Sequence, residues 1–279
     1  MNETYIQVSF FTDDQSLKDQ LIAALSEIAF DGFEEIDKGL NAFINMKDFD
    51  ENIFSETISK YNLSFEKKFI EEQNWNALWE SSFEPVVVDD FVAVRAGFHQ
   101  PIQNVQHEII ITPKMSFGTG HHATTFLMMQ QMRDLNFAGK DVFDFGTGTG
   151  ILSILAEKLG AAKVSAIDND EWSIDNAKEN IAANNCNRID ISLSSNPEMD
   201  KCFDIILANI NKNIILENIS SLANQLMENG QLLVSGLLYD DEEDIKNAAE
   251  NCKLKFIHTI QKEKWICIKF CKLMYQSNK

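Results

Sequence analysis

The stretch Asp144-Phe145-Gly146-Thr147-Gly148-Thr149-Gly150 constrains the fold of this chain more than any other segment. It ends an apolar run that predicts a buried strand, and it precedes residues 151–159, whose apolar spacing predicts a helix. Glycines between a strand and a helix allow a tight turn and a close approach of a ligand, because no Cβ stands in the way. The motif therefore predicts an α/β sheet with a ligand crevice at this loop.

The chain after residue 140 continues as an alternation of strands and helices. Further strands are predicted at 163–167, 189–193, 203–208 and 231–238, with helices at 171–185, 213–227 and 241–251. Two last strands, at 254–259 and 265–270, are predicted to form a hairpin around Gln261-Lys262. This order predicts a doubly wound, Rossmann-like sheet with an antiparallel hairpin at its edge.

The first 72 residues have a different pattern, strand-helix-strand-strand-helix-strand, which is typical of a small ferredoxin-like α+β domain. The first helix is expected to end at Asp31-Gly32. Residues 1–72 contain six basic and sixteen acidic residues, whereas the other 207 residues contain 18 and 27. A separate N-terminal domain is therefore predicted, followed by a connector over residues 73–112 and an α/β domain over residues 113–279. The connector is predicted to contain a helix with Trp75 and Trp79, a strand at 83–94 and a strand at 108–111.

The composition excludes several classes of protein. A net charge of −19 argues against binding to a nucleic-acid backbone and favours a basic protein or a small molecule. Five cysteines without a CxxC pair argue against disulfides and zinc, and predict reduced, mostly buried thiols. No apolar run approaches about 18 residues, and no signal peptide is predicted at the start. We therefore expect a cytoplasmic protein without a membrane contact. We also expect a monomer.

The glycine spacing distinguishes between two kinds of nucleotide. Dinucleotide-binding loops use GxGxxG, but Ile151 stands where their third glycine would be, and the motif here is GxGxG. Asp144 precedes the loop, and a carboxylate there disfavours a pyrophosphate but suits a ligand with an ammonium group. S-adenosylmethionine has an α-amino group and a sulfonium, so it is the predicted cofactor, bound by Gly146 and Gly148 with Asp144 near its ammonium group.

Two polar residues end the second and the fourth of these predicted strands, at the same crevice. Asp168 lies 22 positions after Gly146, where a carboxylate can accept both hydroxyls of an adenosine ribose. Asn209 ends the fourth strand, and its amide can either orient a reacting amine through its carbonyl oxygen or contact the cofactor. Asp170 and Asn211 are interpreted as N-caps of the helices that follow them.

The segment Ser116-Phe117-Gly118-Thr119-Gly120-His121-His122-Ala123-Thr124-Thr125 precedes another predicted helix. Its glycines, hydroxyls and helix N-terminus offer N–H donors that suit the carboxylate of a methionine moiety. The adjacent histidines lack a third ligand at usable spacing, so no metal is expected. They remain candidates to orient an amine, whereas Trp265 is interpreted as a core residue.

Residues 117–125, residues 144–150, Asp168 and Ala208-Asn209-Ile210 together resemble the PrmA-type methyltransferases, which trimethylate amino groups of the large-subunit ribosomal protein L11. The Phe-Gly-Thr-Gly-His-His-Ala-Thr-Thr segment is much more specific than the glycine motif. The resemblance implies cofactor contacts at Thr125, Gly146, Asp168 and Asn209. It also implies that residues 1–72 recognise the substrate and that residues 113–279 form a class I S-adenosylmethionine-dependent methyltransferase domain.

The resemblance implies a protein N-methyltransferase that trimethylates lysine side chains and the N-terminal α-amine of L11, with Asn209 orienting the amine. Ile210-Asn211 follows Asn209 in place of the Pro-Pro-Tyr of many enzymes that methylate bases or amides. Three alternatives remain open: a class I methyltransferase for another protein, a small molecule or a nucleic acid; a cofactor-binding module without catalysis; and a nicotinamide-dependent oxidoreductase.

Overall fold

The structure is a computed structural model that describes residues 4–36, 38–61, 63–71, 83–113 and 120–273. The chain divides into two compact units, Met1–Ser82 and Phe83–Lys279, which are described separately below. The predicted connector helix with Trp75 and Trp79, and residues 116–119 of the glycine-histidine segment, lie outside the described residues.

The first unit is a four-stranded antiparallel sheet with two helices. Its elements are β1 (Thr4–Phe11), α1 (Gln15–Ser26), β2 (Gly32–Ile36), β3 (Gly39–Asn45), α2 (Glu51–Ile58) and β4 (Phe65–Glu71). The strand order is β2-β3-β1-β4, and every neighbouring pair is antiparallel. This topology confirms the predicted ferredoxin-like arrangement.

Alternating residues of β1 form the centre of the first unit's core. Ile6, Val8 and Phe10 are each at most 4% exposed and pack in one cluster with Leu21 and Leu25 of α1. The side chains of a strand point alternately to its two faces, so this period of two brings one face of the sheet against the helices.

The first helix ends earlier than its sequence predicts. It stops at Ser26, because Ala29 adopts a left-handed conformation with φ of 70° and the Phe30 N–H donates to the Leu25 carbonyl at 3.2 Å. The prediction took Gly32 for the terminator, but Gly32 begins β2 instead.

A three-stranded sheet begins the second unit. Its strands are β5 (Val86–Val88), β6 (Val92–Ala96) and β7 (His107–Ile111), with β6 antiparallel to β5 and parallel to β7. The sequence predicts one strand at 83–94. The structure divides it because Asp89 turns with φ of 49° and the Phe91 N–H donates to the Val88 carbonyl at 3.0 Å.

The main sheet of the second unit has seven strands. They are β8 (Asp141–Phe145), β9 (Lys163–Asp168), β10 (Ile189–Leu193), β11 (Phe203–Asn209), β12 (Leu226–Leu238), β13 (Leu254–Lys262) and β14 (Trp265–Lys272). Their order is β10-β9-β8-β11-β12-β14-β13, in which β14 is antiparallel to both of its neighbours. The predicted Rossmann-like sheet with an antiparallel edge hairpin is confirmed.

Five helices accompany this sheet: α3 (Ala123–Met132), α4 (Ile151–Lys158), α5 (Glu171–Ala183), α6 (Lys212–Asn224) and α7 (Glu242–Asn251), with a short 3₁₀ turn at Tyr239–Asp241. One buried cluster contains Met128 of α3 and Leu155 of α4, and another contains Ile219 of α6 and Ile245 of α7. The sheet therefore has two apolar faces, as a doubly wound fold requires.

Two boundaries near the sheet edge differ from the prediction. β12 begins at Leu226, because Leu226 already pairs with Phe203 before a break in register. The final hairpin turns at Glu263, with φ of 56°, two residues beyond the predicted turn, so both of its strands are longer than expected.

All five cysteines are free thiols, as predicted, but they are not mostly buried. Only Cys267 is buried, and Cys202 is exposed, because it lies just before β11 rather than inside a strand. Among the described helices, none is long and apolar enough to cross a membrane.

Candidate active site

The glycine loop joins β8 to α4 with its three glycines in left-handed conformations. The φ angles of Gly146, Gly148 and Gly150 are 79°, 54° and 79°. A Cβ on Gly146 would lie 2.3 Å from Cγ2 of Ile210, which is closer than van der Waals contact allows. Residue 146 must therefore be glycine for conformation and for space, and the loop presents bare backbone to a ligand.

Asp168, the last residue of β9, bonds directly to this loop. Its Oδ2 accepts from the Gly148 N–H at 2.8 Å, and its Oδ1 accepts from the Asp170 N–H at 3.0 Å. Each carboxylate oxygen can accept further bonds, so Asp168 retains capacity for a ligand hydroxyl. The carboxylate of Asp170 accepts from the N–H groups of Trp172 and Ser173, which confirms that it is the N-cap of α5.

Asp144 lies beneath the loop in a closed environment. It is fully buried, and its Oδ2 accepts from the Thr147 hydroxyl at 2.7 Å and the Ser153 hydroxyl at 2.6 Å. Burial raises the pKa of the Asp144 carboxyl to about 6, against the lowering effect of these two hydroxyls. Its Oδ1 is buried without a hydrogen-bond partner in the described part of the chain.

Asn209 ends β11 with its amide held in one orientation. Its Nδ2 donates to Oγ1 of Thr125, in the first turn of α3, at 3.2 Å. Its Oδ1 is buried and has no hydrogen-bond partner among the described residues. A buried acceptor without a donor costs free energy, which a ligand N–H would offset. Asn211, two residues later, accepts from the Ile214 N–H and is the N-cap of α6, as predicted.

Two cavities share part of their lining beside the glycine loop. Their volumes are about 390 and 440 Å³, and both are lined by Gly146, Asp168, Asn169, Ile210 and Asn211. The first also reaches Asn209 and Gly148, whereas the second reaches Ser194 and Ser195 after β10. The Asp168 carboxylate thus lies where the two cavities meet.

An aromatic pair completes the lining of the first cavity. His122 is the N-cap of α3 and contacts Trp265, the first residue of β14, with ring centroids 4.6 Å apart in an edge-to-face arrangement. Its neighbour His121 has Nε2 at 2.8 Å from the Glu84 carbonyl, so the two imidazoles have different surroundings. Within the described ranges, no group of three His, Cys, Asp or Glu side chains could hold a metal ion.

Sequence reasoning missed two residues of this cavity. Trp265 was interpreted as core, but it is half-buried at the cavity, because an antiparallel β14 begins at the edge where the parallel strands end. Gly236 interrupts β12 with φ of 86°, and a Cβ there would lie 2.1 Å from the Ile210 carbonyl oxygen. A lone glycine in a predicted strand signals a bulge or a close backbone approach, and this signal was available.

The predicted site residues separate into two groups. Gly146, Gly148, Asp168 and Asn209 line one cavity together. Thr125 and Asp144 lie behind it: Thr125 is 1% exposed and holds the Asn209 amide, and Asp144 bonds to hydroxyls of the loop and α4. Of the predicted donor groups in segment 116–125, only those from Gly120 onward belong to the described residues.

These features fit S-adenosylmethionine. Backbone of Gly146 lines both cavities, the Asp168 carboxylate suits ribose hydroxyls, and the two cavities can take the two arms that extend from a ribose. Asn209, whose buried Oδ1 has no hydrogen-bond partner among the described residues, lines the cavity that also has the aromatic pair. The residues present can therefore hold both a methyl donor and an amine.

Comparisons with known proteins agree with this geometry. The family profile described as "Ribosomal protein L11 methyltransferase (PrmA)" matches residues 6–272. A ribosomal protein L11 methyltransferase of Phocaeicola vulgatus is 35% identical over 276 residues, which cover 95% of this chain and 98% of that protein. Another, of Porphyromonas gingivalis, is 38% identical over 260 residues, 90% of each chain. The crystal structure of ribosomal protein L11 methylase from Lactobacillus delbrueckii subsp. bulgaricus has a TM-score of 0.63 at 30% identity, and covers 69% of this chain and 99% of that one.

Proposed function

Because the chain belongs to the ribosomal protein L11 methyltransferase (PrmA) family, we propose that it transfers methyl groups from S-adenosylmethionine to amino groups of ribosomal protein L11. The acceptors are lysine side chains and the N-terminal α-amine, each taken to the trimethylated state. The enzyme acts as a monomer, in the cytoplasm, where ribosomal proteins are made.

The observation that carries this proposal is the buried, unpaired Oδ1 of Asn209 beside the glycine loop. When bound, S-adenosylmethionine supplies an electrophilic methyl group on a sulfonium. Asp168 holds the ribose beside the Gly146 and Gly148 backbone, which lines the same cavity. Asp144 orders the loop from beneath through the Thr147 and Ser153 hydroxyls. In the first and second transfers, Asn209 Oδ1 accepts an N–H of the neutral acceptor amine and so orients its lone pair. The neutral dimethylated amine of the third transfer has no N–H, so the cavity walls alone position it.

The acceptor amine must lose a proton before it can attack. A lysine amine in water has a pKa of about 10.4, so it is almost fully charged near neutral pH. Ile210 and Trp265 line the cavity with apolar surface, and such surroundings lower the pKa of an amine because they penalise its charged form. Asn209 supports the neutral amine by accepting a hydrogen bond without adding a negative charge.

In this proposal, residues 1–72 recognise the protein substrate and residues 113–279 bind the methyl donor and catalyse the transfer. Residues 73–112 connect these two domains. The net charge of −10 over the first 72 residues suits a basic ribosomal protein. The helical side of the first unit also has a cavity of about 410 Å³, lined by Phe30, Phe49 and Phe54.

The rim of this first-unit cavity is acidic. Glu27, Asp48 and Asp50 belong to its lining and are exposed, and Ile53 beside them is 50% exposed. An apolar floor with carboxylates at its rim suits the alkyl stem and the charged end of a lysine or arginine side chain. We place one basic side chain of the substrate there.

The substrate is tested by offering three acceptors to the purified chain with labelled S-adenosylmethionine: L11, total RNA and a small-molecule extract. Transfer to L11 alone, located by mass spectrometry on lysines and the N-terminus, is expected. Transfer to RNA or to a small molecule without transfer to L11 would contradict the proposal.

A further inference from the structure

Helix α5 and its C-cap residue have three asparagines on one face. Asn176, Asn180 and Asn184 are four residues apart, which places them one above the other along the helix. Asn176 and Asn180 are fully buried, and Asn184 is 9% exposed. Three buried amides in one row need hydrogen-bond partners, and their partners show what the row does.

The amides pair with the free edge of β7 and the residue after it. Asn184 accepts from the Ile110 N–H at 3.0 Å and donates to the Ile110 carbonyl at 2.6 Å. Asn180 accepts from the Thr112 N–H at 2.7 Å, and Asn176 donates to the Thr112 carbonyl at 3.1 Å. Four helical residues rise about 6.0 Å and two strand residues about 6.6 Å, so the two repeats match. The asparagine row thus acts as the neighbouring strand that β7 lacks.

Asn180 differs from the other two because it also reaches the glycine loop. Its Nδ2 donates to the Thr149 carbonyl at 2.9 Å. Thr149 stands between Gly148 and Gly150, whose φ angles of 54° and 79° lie in a region that glycine enters and leaves at little cost. A peptide between two such residues can rotate easily. Asn180 holds the loop at Thr149, as Asp168 holds it at Gly148.

We propose that Asn180 is a positioning residue for the methyl donor, which keeps the glycine loop in the conformation that the donor binds. An ordered loop loses less conformational entropy when a ligand binds, so affinity depends on this bond. Asn184, the C-cap one turn further on, bonds to the backbone of Ile110 and Asn180 instead of the loop, and serves the fold. The proposal rests on the proposed function only for the identity of the ligand.

The matched substitutions are Asn180→Asp and Asn184→Asp. Each keeps an oxygen that accepts from the strand β7 or the residue after it, and each removes the amide donor. Asn180→Asp loses the donation to the Thr149 carbonyl, and Asn184→Asp loses the donations to the Ile110 and Asn180 carbonyls. Both variants are expected to melt at a lower temperature than the wild type. Calorimetry with S-adenosylhomocysteine is expected to show Kd raised about tenfold for Asn180→Asp and by less than about twofold for Asn184→Asp.

Two further readouts separate positioning from stability. A protonated aspartic acid can donate its O–H to the Thr149 carbonyl, so the affinity of Asn180→Asp should recover, relative to the wild type, as the pH is lowered towards about 5. Without ligand, hydrogen exchange at Gly150 and Ile151 should be faster in Asn180→Asp than in Asn184→Asp. If Asn180→Asp fails to fold, Asn180→Ser replaces it in the affinity and exchange measurements.

Equal changes of Kd and of exchange in the two variants would overturn the proposal, provided that the wild type binds S-adenosylhomocysteine. If the wild type does not bind it, the proposed function fails. The exchange comparison still decides in that case whether Asn180 orders the loop.

Discussion

Asp144 and Asp168 are carboxylates at the ends of adjacent strands, yet their surroundings give them different properties. Asp168 borders both cavities and accepts from two backbone N–H groups. Asp144 is fully buried, receives two hydroxyl donors, and has a pKa raised by burial. One carboxylate is therefore placed to bind a ligand, whereas the other is coupled to folding through its proton.

Substitution of Asp168 by alanine should weaken donor binding, and it should also lower stability because the Gly148 and Asp170 N–H groups lose their acceptor. Hydrogen bonds to a charged group contribute about 1.5–3 kcal/mol, so Kd for S-adenosylhomocysteine should rise about 10- to 100-fold in calorimetry. Asp170→Ala is the control: it removes the N-cap of α5 and should cost about 1 kcal/mol of stability without changing the affinity. Equal affinity losses in the two variants would show that Asp168 acts only through the fold.

Asp144 should make the protein less stable as the pH rises from about 4 to about 6. Its folded-state pKa is about 6, above the ordinary value of 3.8, so the folded state binds this proton more tightly than the unfolded state. The stabilisation is complete below the unfolded pKa and is lost as the pH passes through the folded pKa, by about 3 kcal/mol. The Asp144→Asn variant is the reference, because its amide side chain does not titrate.

The free energy of unfolding of wild type minus that of Asp144→Asn should therefore fall across this range, as measured by urea denaturation at several pH values. The difference removes the opposing contributions of other carboxyls, whose pKa values are lowered by ion pairs, such as Glu108 and Asp204. A difference that does not change with pH would mean that Asp144 keeps an ordinary pKa.

The sequence suffices to predict Asp168 and Asn209 as crevice residues, because the carboxyl ends of parallel strands meet at one edge of a sheet. It does not suffice for Asp144 or Thr125. Their directions depend on partners that no local pattern specifies: the hydroxyls of Thr147 and Ser153 in one case, and the amide of Asn209, 84 positions away, in the other.

At the level of secondary structure, the bulge in β12 shapes the cavity. Its register against β14 shifts between Ser235 and Leu237, around Gly236, whose backbone packs against that of Ile210. Ile210 in turn covers Gly146 and lines both cavities. The strand pattern predicts β12, and its lone glycine signals a bulge or a close approach, but the sequence does not show that the approaching backbone is that of Ile210.

Gly236→Ala should be more destabilising than an ordinary glycine substitution at positive φ. Gly139 is a matched control, with φ of 71° and no atom within 4 Å of an added Cβ, whereas the Cβ at 236 would lie 2.1 Å from a backbone oxygen. Gly139→Ala should cost about 1–2 kcal/mol, and Gly236→Ala about 3 kcal/mol or more. Denaturant unfolding measures both, and equal costs would contradict the close packing of Gly236 on Ile210.

At the scale of the whole molecule, the most acidic stretch of the chain and the cavities proposed to bind the donor lie in different units. The first 72 residues hold half of the excess negative charge in a quarter of the length, and the donor cavities lie in the second unit. The order of elements is enough to predict both folds. Trp265 escaped prediction because its place depends on the closing hairpin, which is the element of the second unit most distant in sequence from the glycine loop.

Removal of two carboxylates from the first-unit cavity should weaken recognition of the protein substrate without affecting the donor. Glu27→Gln with Asp48→Asn should raise KM for L11 about two- to tenfold and leave kcat and the Kd of S-adenosylhomocysteine unchanged, since partly exposed charge pairs contribute about 1 kcal/mol or less each. The control is the double variant Glu66→Gln with Glu56→Gln, which removes the same charge from exposed positions outside that cavity. An equal rise of KM in both double variants would assign the effect to net charge alone.

A crystal structure of the chain with S-adenosylhomocysteine tests most directly whether the cavities beside the glycine loop bind the methyl donor. The ribose hydroxyls should lie about 3 Å from the Asp168 carboxylate, with the ligand sulfur in the cavity that Asn209 and Trp265 line. A ligand bound elsewhere on the chain, or a crevice closed by packed side chains while the ligand saturates the protein in solution, would contradict this assignment.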